Sequence, residues 1–450
     1  MLQSPSRIFH RNLNAQLPVA LAGEGVYIRD KQGNRYLDAC GGAAVSCLGH
    51  GHPRVIDSIK HQLDSMAYAH SGFFTSEPSE QLAHFLAHRA PEDIEHVYFL
   101  SGGSEAVEAA LKMARQYFLE AGQPSKHKFI ARRQSYHGNT LGALSVSGNR
   151  WRRQQFEPML MNIEHISPCY AYRDQLDGET ERDYGLRVAN ELDSKIEEMG
   201  AENVIAFIAE PVVGATGGAL VPAPGYFKRI REICDKHNIL LILDEVMCGM
   251  GRTGSMFACE QEAVRPDIIT IAKGLAAGYQ PIGATLCSNH IYNQFRDGSG
   301  AFQHGHTYVG HATACAAALA VQQTIEDDNL LDNVNRMGEL LNLALHDRFG
   351  EHPYIGDIRG RGLFRALELV ADRDTNAPLS HELSIAAEIK KQGMAQGLAC
   401  YPNSGTIDGL NGDHVLLAPP YIIDQTHVEE IVDKLGLAVD AALNSKGILI

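Results

Sequence analysis

Three short stretches carry groups whose types and spacing could do chemistry together. The first is Ser101-Gly102-Gly103-Ser104, where an apolar run gives way to a helical pattern. Glycines let backbone N–H groups approach a ligand closely, and a helix N-terminus adds unpaired donors and the positive end of a dipole, which suits a phosphate. The second is Asp244, in Leu243-Asp244-Glu245-Val246 at the end of the apolar run 239–243. A carboxylate at the carboxyl end of a buried strand stands where open α/β sheets bind ligands. The third is Lys273, in Ile271-Ala272-Lys273-Gly274-Leu275, again after an apolar run. A buried lysine must be desolvated or paired, and desolvation lowers its pKa and makes the amine nucleophilic.

Taken singly, these stretches have plain explanations: a turn, an N-cap or surface ion pair, a solvent-facing lysine. Converging on one sheet edge, they are the groups required by an aldehyde cofactor that bears a phosphate and a pyridine nitrogen.

Such convergence needs a sheet. Short β-rich runs at 97–100, 128–131, 204–209, 239–243, 268–271 and 282–287 alternate with helical patterns, which predicts a mainly parallel sheet covered on both faces. The clearest helix spans 104–117, where Ala106, Ala109, Ala110, Met113, Ala114 and Tyr117 repeat at helical spacing, so its N-terminus sits at a strand's carboxyl end. Past about residue 325 the pattern becomes α+β, with helices near 328–348 and 384–398, strands near 362–370 and 414–418, and a last helix. In that last helix Thr426 and Glu429 read as a capping box and Val428, Ile431, Val432, Leu435 and Val439 share a face. The expected fold class is therefore α/β, with a large domain over 51–325, a smaller α+β domain over 326–450, and an N-terminal segment 1–50 that joins the small domain through 25–37.

With 450 residues, 44% hydrophobic and 21% charged, the chain has ordinary globular composition. The formal charge of −15 argues against a nucleic-acid or anionic-membrane partner. No apolar run reaches a membrane span and the first 25 residues lack a secretory apolar stretch, so a cytoplasmic location is expected. Nine cysteines without CxxC spacing read as reduced, buried thiols. The run Gly249-Met250-Gly251-Arg252-Thr253-Gly254 matches GxGxxG, but its glycines do not directly join strand to helix, which speaks against a dinucleotide site. His304, His306 and His311, like His50 and His52, have no carboxylate or cysteine at ligand spacing, and no metal is expected.

The stretches SGGSEAVEAALKMAR (101–115), SYHG (135–138), AEPVVGATGG (209–218), LDEVMCGMGRTG (243–254), IAKGL (271–275) and HGHTYVGH (304–311) resemble, in order and over nearly the whole chain, the class III aminotransferases that use pyridoxal 5'-phosphate on fold type I. The resemblance implies that Gly102, Gly103 and Ser104 bind the cofactor phosphate, that Tyr136 with its neighbour His137 and Val246 enclose the ring, and that Asp244 bonds the ring nitrogen. It further implies that Glu210 lies near the phenolic oxygen, that Lys273 forms the imine and moves the proton, and that Thr307 reaches the phosphate of a neighbouring subunit in a homodimer. Transfer of an amino group from an amine or amino acid to a keto acid is the expected activity. Decarboxylation, epimerisation or amine migration on the same scaffold is the alternative, because the lysine and aspartate do not distinguish them.

Many relatives carry a mobile carboxylate-gripping arginine shortly before the strand that reads HVLLAPP, yet 397–413 here holds no arginine. Arg133, Arg361 and Arg365 are the replacements the sequence offers. The segment 44–49 resembles a pocket-lining stretch that is often aromatic, so the small Ser46 and Cys47 suggest room for a bulkier amine.

Overall fold

The computed structural model describes residues 6–448, so the outermost parts of the expected terminal segments, 1–5 and 449–450, lie outside the described residues. A large sheet contains β1 (Ile94–Leu100), β2 (Lys128–Arg132), β3 (Glu164–Ile166), β4 (Val204–Ala209), β5 (Leu240–Asp244), β6 (Ile268–Ile271) and β7 (Gly283–Ser288) in the spatial order β1-β7-β6-β5-β4-β2-β3. The pairings from β3 through β6 are parallel, and β7 alone runs against both of its neighbours. Every residue of β4, β5 and β6 is buried, as near-continuous apolar strands covered on both faces require. The edge strand β3 has only three residues, Glu-His-Ile, too few and too polar for a period to register.

Helix α1 (Gly103–Glu120) extends the predicted helix by a few residues and buries Ala106, Ala109, Ala110 and Ala114. These small side chains bring the helix axis close to the sheet, so its first turn is held at the carboxyl end of β1. The short α2 (Arg150–Arg153) follows β2 on the same edge and is capped by Asn149, whose side chain accepts from the Arg152 N–H.

Two smaller sheets lie outside 51–325. One joins Ala20–Glu24, Tyr27–Asp30 and Arg35–Asp38 to Leu398–Ala399, which pairs in parallel with Arg35–Asp38. The other is the antiparallel set Ile355–Arg361, Phe364–Leu369, Asp413–Leu417 and Tyr401–Ser404. Strand Ile355–Arg361 was not legible because IGDIRGR alternates no apolar face. The last helix, Gln425–Ser445, buries the expected face, but its N-cap is Asp424 rather than Thr426. The Asp424 carboxylate accepts from the His427 N–H at 3.1 Å and the His427 ring faces the Asp424 N–H at 3.2 Å, so the capping box closes two residues earlier and Thr426 falls in the first turn.

The small sheets are tied to the carboxyl edge of the large one by two arginines, the buried Arg252 and the half-buried Arg359. Arg252, after β5, donates to the carbonyls of Leu363 and Pro419, and Arg359 donates to those of Gly217 and Gly218. Among the described residues no helix is long and apolar enough to cross a membrane.

Candidate active site

At the end of β1 the chain turns through Ser101 and an extended Gly102, which caps α1 with no side-chain hydrogen bond. The first-turn N–H groups of α1 are left for a ligand. A Cβ on Gly103 would stand 2.8 Å from Val246 Cγ1, and one on Gly138, at φ +140°, would stand 2.6 Å from Ser104 Oγ. Only glycine leaves this cradle open. Ser104 Oγ donates to Asn139 Oδ1 at 2.9 Å and accepts from the Asn139 N–H at 3.0 Å, which joins the α1 turn to the loop after β2.

Asp244 closes β5 and is almost completely buried. Its carboxylate accepts from the Val246 N–H at 3.0 Å and the Thr270 hydroxyl at 3.1 Å, and His137 Nδ1 lies 2.7 Å away. A buried carboxylate is tolerable only with such partners. Glu210, just past β4, accepts from the N–H groups of Tyr136 at 3.0 Å and Gly214 at 2.8 Å. Burial raises the Glu210 pKa, and the His137 ring and these bonds oppose the rise.

Lys273 follows β6 in a left-handed backbone conformation, φ +46°, which costs a residue with a side chain roughly 1–2 kcal/mol. The kink aims its Nζ at the Ala43 carbonyl, 3.1 Å away. Desolvation pulls its pKa down to about 8, while the charges of Asp244 and Glu210 pull the other way. An amine with that pKa exchanges a proton near neutrality.

These elements enclose a cavity of about 530 Å³. Every residue expected to hold the cofactor lines it except Thr307, which sits on an exposed loop where its carbonyl accepts from the Tyr68 hydroxyl at 2.8 Å. The donor set fits a phosphate-bearing pyridine aldehyde: an uncapped helix end and glycine cradle for the phosphate, Tyr136 and Val246 as walls, a carboxylate for a ring nitrogen, and an amine for the aldehyde.

Several expectations about the cavity's surroundings need correction. Cys47 is fully buried in the core of the small sheets, with its Sγ 3.5 Å from the Gly274 carbonyl, and the cavity wall from its segment is Ala43 and Val45. The resemblance of 44–49 to a pocket-lining stretch therefore does not extend to Cys47. Arg133 donates to the His165 carbonyl, Arg361 pairs with Glu262 at 2.6 Å, and Arg365 donates to the Gly360 carbonyl and Asn342. None of these three arginines lines the cavity; Arg152 and Arg11 do. The 249–254 turn wraps the fully buried Arg252 and is followed by no regular helix. His304 and His306 face each other Nε2 to Nε2 at 3.1 Å, while His311 stacks on Tyr68. Among the described residues the cluster with metal-ligand spacing is Asp193, Glu197 and His237, which the Lys236 ammonium already occupies at 2.8 Å from Asp193.

The Aminotransferase class-III family model matches residues 9–439. An uncharacterized aminotransferase of Schizosaccharomyces pombe is 45% identical over 437 residues, covering 97% of this chain and 95% of the relative. The uncharacterized aminotransferase YodT of Bacillus subtilis is 40% identical, covering 97% of this chain and 98% of the relative. A crystal structure of the omega transaminase from Pseudomonas jessenii in complex with PMP superposes with a TM-score of 0.90 at 34% identity, covering 96% of this chain and 94% of that one.

Proposed function

We propose that this chain, which belongs to the class III aminotransferases, runs amino transfer in the cavity at the sheet's carboxyl edge with Lys273 as the group that moves the proton. As a member of that family it uses pyridoxal phosphate and transfers an amino group from an amine donor to a keto acid. When bound, the cofactor supplies an aldehyde that takes up the donor's nitrogen and a ring that withdraws electrons from the carbon losing its proton.

The chain's own residues supply the rest. Gly102, Gly103 and Ser104 would offer N–H donors to the phosphate, and Tyr136 and Val246 would hold the ring between them, since all five line the cavity. Asp244 keeps a proton on the ring nitrogen through a close opposite charge, and the His137 and Thr270 contacts hold its carboxylate in place. Glu210 faces the same cavity from β4. Lys273 takes the proton from the substrate carbon and delivers it on the other side of the same short shift, so one amine serves both half-reactions. What carries this reading is the meeting of a desolvated lysine, a buried carboxylate and an uncapped helix end in one cavity.

Borohydride reduction of the purified protein followed by peptide mass mapping tests it. The cofactor is expected covalently on Lys273 and on no other lysine, and with an amine donor alone the spectrum should shift to that of the aminated cofactor. A reduced protein free of adduct, or an adduct on another residue, would overturn the assignment.

The homodimer reading belongs to the same proposal. Its support is the exposed Thr307 loop, beside which Phe73, Phe74 and Tyr308 leave 81%, 67% and 57% of their surface open. Light scattering should give twice the chain mass at micromolar concentration; a monomer at that concentration ends the reading. The division into 1–50, 51–325 and 326–450 is supported by both small sheets being built from segments outside 51–325. A cytoplasmic location is supported by nine buried, unpaired thiols, which suit a reducing compartment.

A further inference from the structure

A keto acid brings a carboxylate into a cavity that already holds Asp244 and Glu210. An anion entering there needs a cation of its own, because leaving it desolvated and unpaired is costly. The lysine and arginines that line the cavity are Lys273, Arg11 and Arg152. Lys273 is taken by the chemistry, and Arg11 stands on the exposed N-terminal stretch. Arg152 is half-buried with its guanidinium 4.7 Å over the Tyr136 ring. Among the described residues its guanidinium has neither a carboxylate partner nor a hydrogen bond. Its neighbour Arg153 spends Nη1 on the carbonyls of Leu144, Ser145 and Ser147 and Nη2 on Glu157. A planar fork of donors left unspent at the cavity wall is the arrangement that grips a carboxylate with two bonds.

The arm that bears Arg152 is also fixed. Asn149 accepts from the Arg152 N–H at 3.2 Å and donates to Gln134 Oε1 at 3.2 Å, and Gln134 in turn donates to the carbonyls of Gly405 at 2.7 Å and Thr406 at 2.9 Å. In the loop so gripped, Gly409 at φ +90° packs against the backbone of Arg150 and Trp151. The loop without an arginine therefore braces α2, which carries Arg152. Arg152 also bears on the reaction centre, since its charge adds to the lowering of the Lys273 pKa and opposes the rise at Tyr136.

We propose that Arg152 is the substrate-carboxylate anchor of this enzyme, aimed into the cavity by the Asn149–Gln134–Thr406 chain of hydrogen bonds. The proposal rests on the aminotransferase reading and adds a substrate class to it: the acceptor, and any amino-acid donor, docks by its carboxylate on α2.

The test compares the holoenzyme with Arg152→Gln, Arg152→Lys and Arg11→Gln. Propionate, an unreactive carboxylate, is titrated against the absorption of the bound cofactor; KM is measured for pyruvate and 2-oxoglutarate; and the single-turnover rate is measured with 1-phenylethylamine, which has no carboxylate. Losing a charge-assisted pair should raise the propionate Kd and the keto-acid KM by about 30-fold in Arg152→Gln. The amine rate should fall far less than the keto-acid KM rises, because the amine makes no use of the anchor and Arg152 touches that step only through its charge on Lys273. Arg152→Lys should recover part of the loss, and Arg11→Gln should change little. Unchanged propionate binding and KM in Arg152→Gln would overturn the proposal. So would an amine rate that falls in parallel, which would assign Arg152 to seating Tyr136 instead. Failure of the wild type to aminate its cofactor with any donor would instead sink the aminotransferase reading, while the propionate titration would still report on the anchor.

Discussion

The glycine turns at 101–104 and 249–254 both follow a strand at the carboxyl edge of the same sheet, yet they dispose of their polar groups in opposite ways. In the first, the helix end is uncapped and the cradle stays open because Gly103 and Gly138 have no Cβ. In the second, the turn closes on Arg252, which is 1% exposed, lies over the Tyr421 ring, and spends donors on the carbonyls of Leu363 and Pro419. The pattern GxGxxG belongs to the turn that binds protein. A glycine turn becomes a ligand site when its donors are left unspent, and composition alone does not report that.

The largest effect that tests this contrast is at Arg252. Arg252→Ala strips two buried carbonyls of their donor and leaves a void, which should destabilise the protein by about 3 kcal/mol. The midpoint of urea unfolding measured on cofactor-free protein reads this, and a midpoint equal to that of the wild type would mean the second turn is not structural. Next comes Gly103→Ala, whose new methyl would overlap Val246. Cofactor Kd should rise about tenfold with little change in the unfolding midpoint, since the crowding falls on an open cavity wall. A loss of stability with intact cofactor affinity would erase the distinction between the turns.

Beside the open turn, pH reports on the amine. Lys273, with a pKa near 8, is protonated below that pH and a free amine above it. The rate at which cofactor-free protein captures pyridoxal phosphate should therefore climb about tenfold between pH 7 and pH 9, with its half-maximum near pH 8. Stopped-flow absorbance would follow it. A half-maximum near 10, the value of an ordinary solvated lysine, would show that the cavity does not desolvate Lys273.

What could be read from the chain alone follows from the range of the interactions involved. Asp244 and Lys273 were legible because each ends a run buried on both faces, and such runs announce themselves without any partner. Gly103 was legible because the helix after it repeats cleanly. Strand β3 was not, having three residues and no period. The place of Cys47 was not legible, because Gly41, Gly42 and Ala44 all take positive φ and turn the chain irregularly just before it. Arg152 was invisible for a different reason. Its importance depends on Gln134 meeting Thr406, 272 positions away, and nothing local to Arg150-Trp151-Arg152-Arg153 records that contact.

The reversed direction of β7 has a consequence for how this edge can change. Elsewhere along the sheet, parallel neighbours that are consecutive in the chain, such as β4, β5 and β6, are joined by crossovers that must travel to the far end and return. The stretch from β6 to β7 leaves and re-enters at one edge, with Ala284 paired directly to Ile271 and Gly283 pressed against the Gly102 backbone. It carries Lys273 two residues past its start, so an insertion between Ile271 and Lys273 would carry the amine along the edge, whereas the exposed turn at Gly278 and Pro281 has room for one. The part of this connection whose length sets where the amine stands is therefore the single step from strand end to lysine, not the turn beyond it.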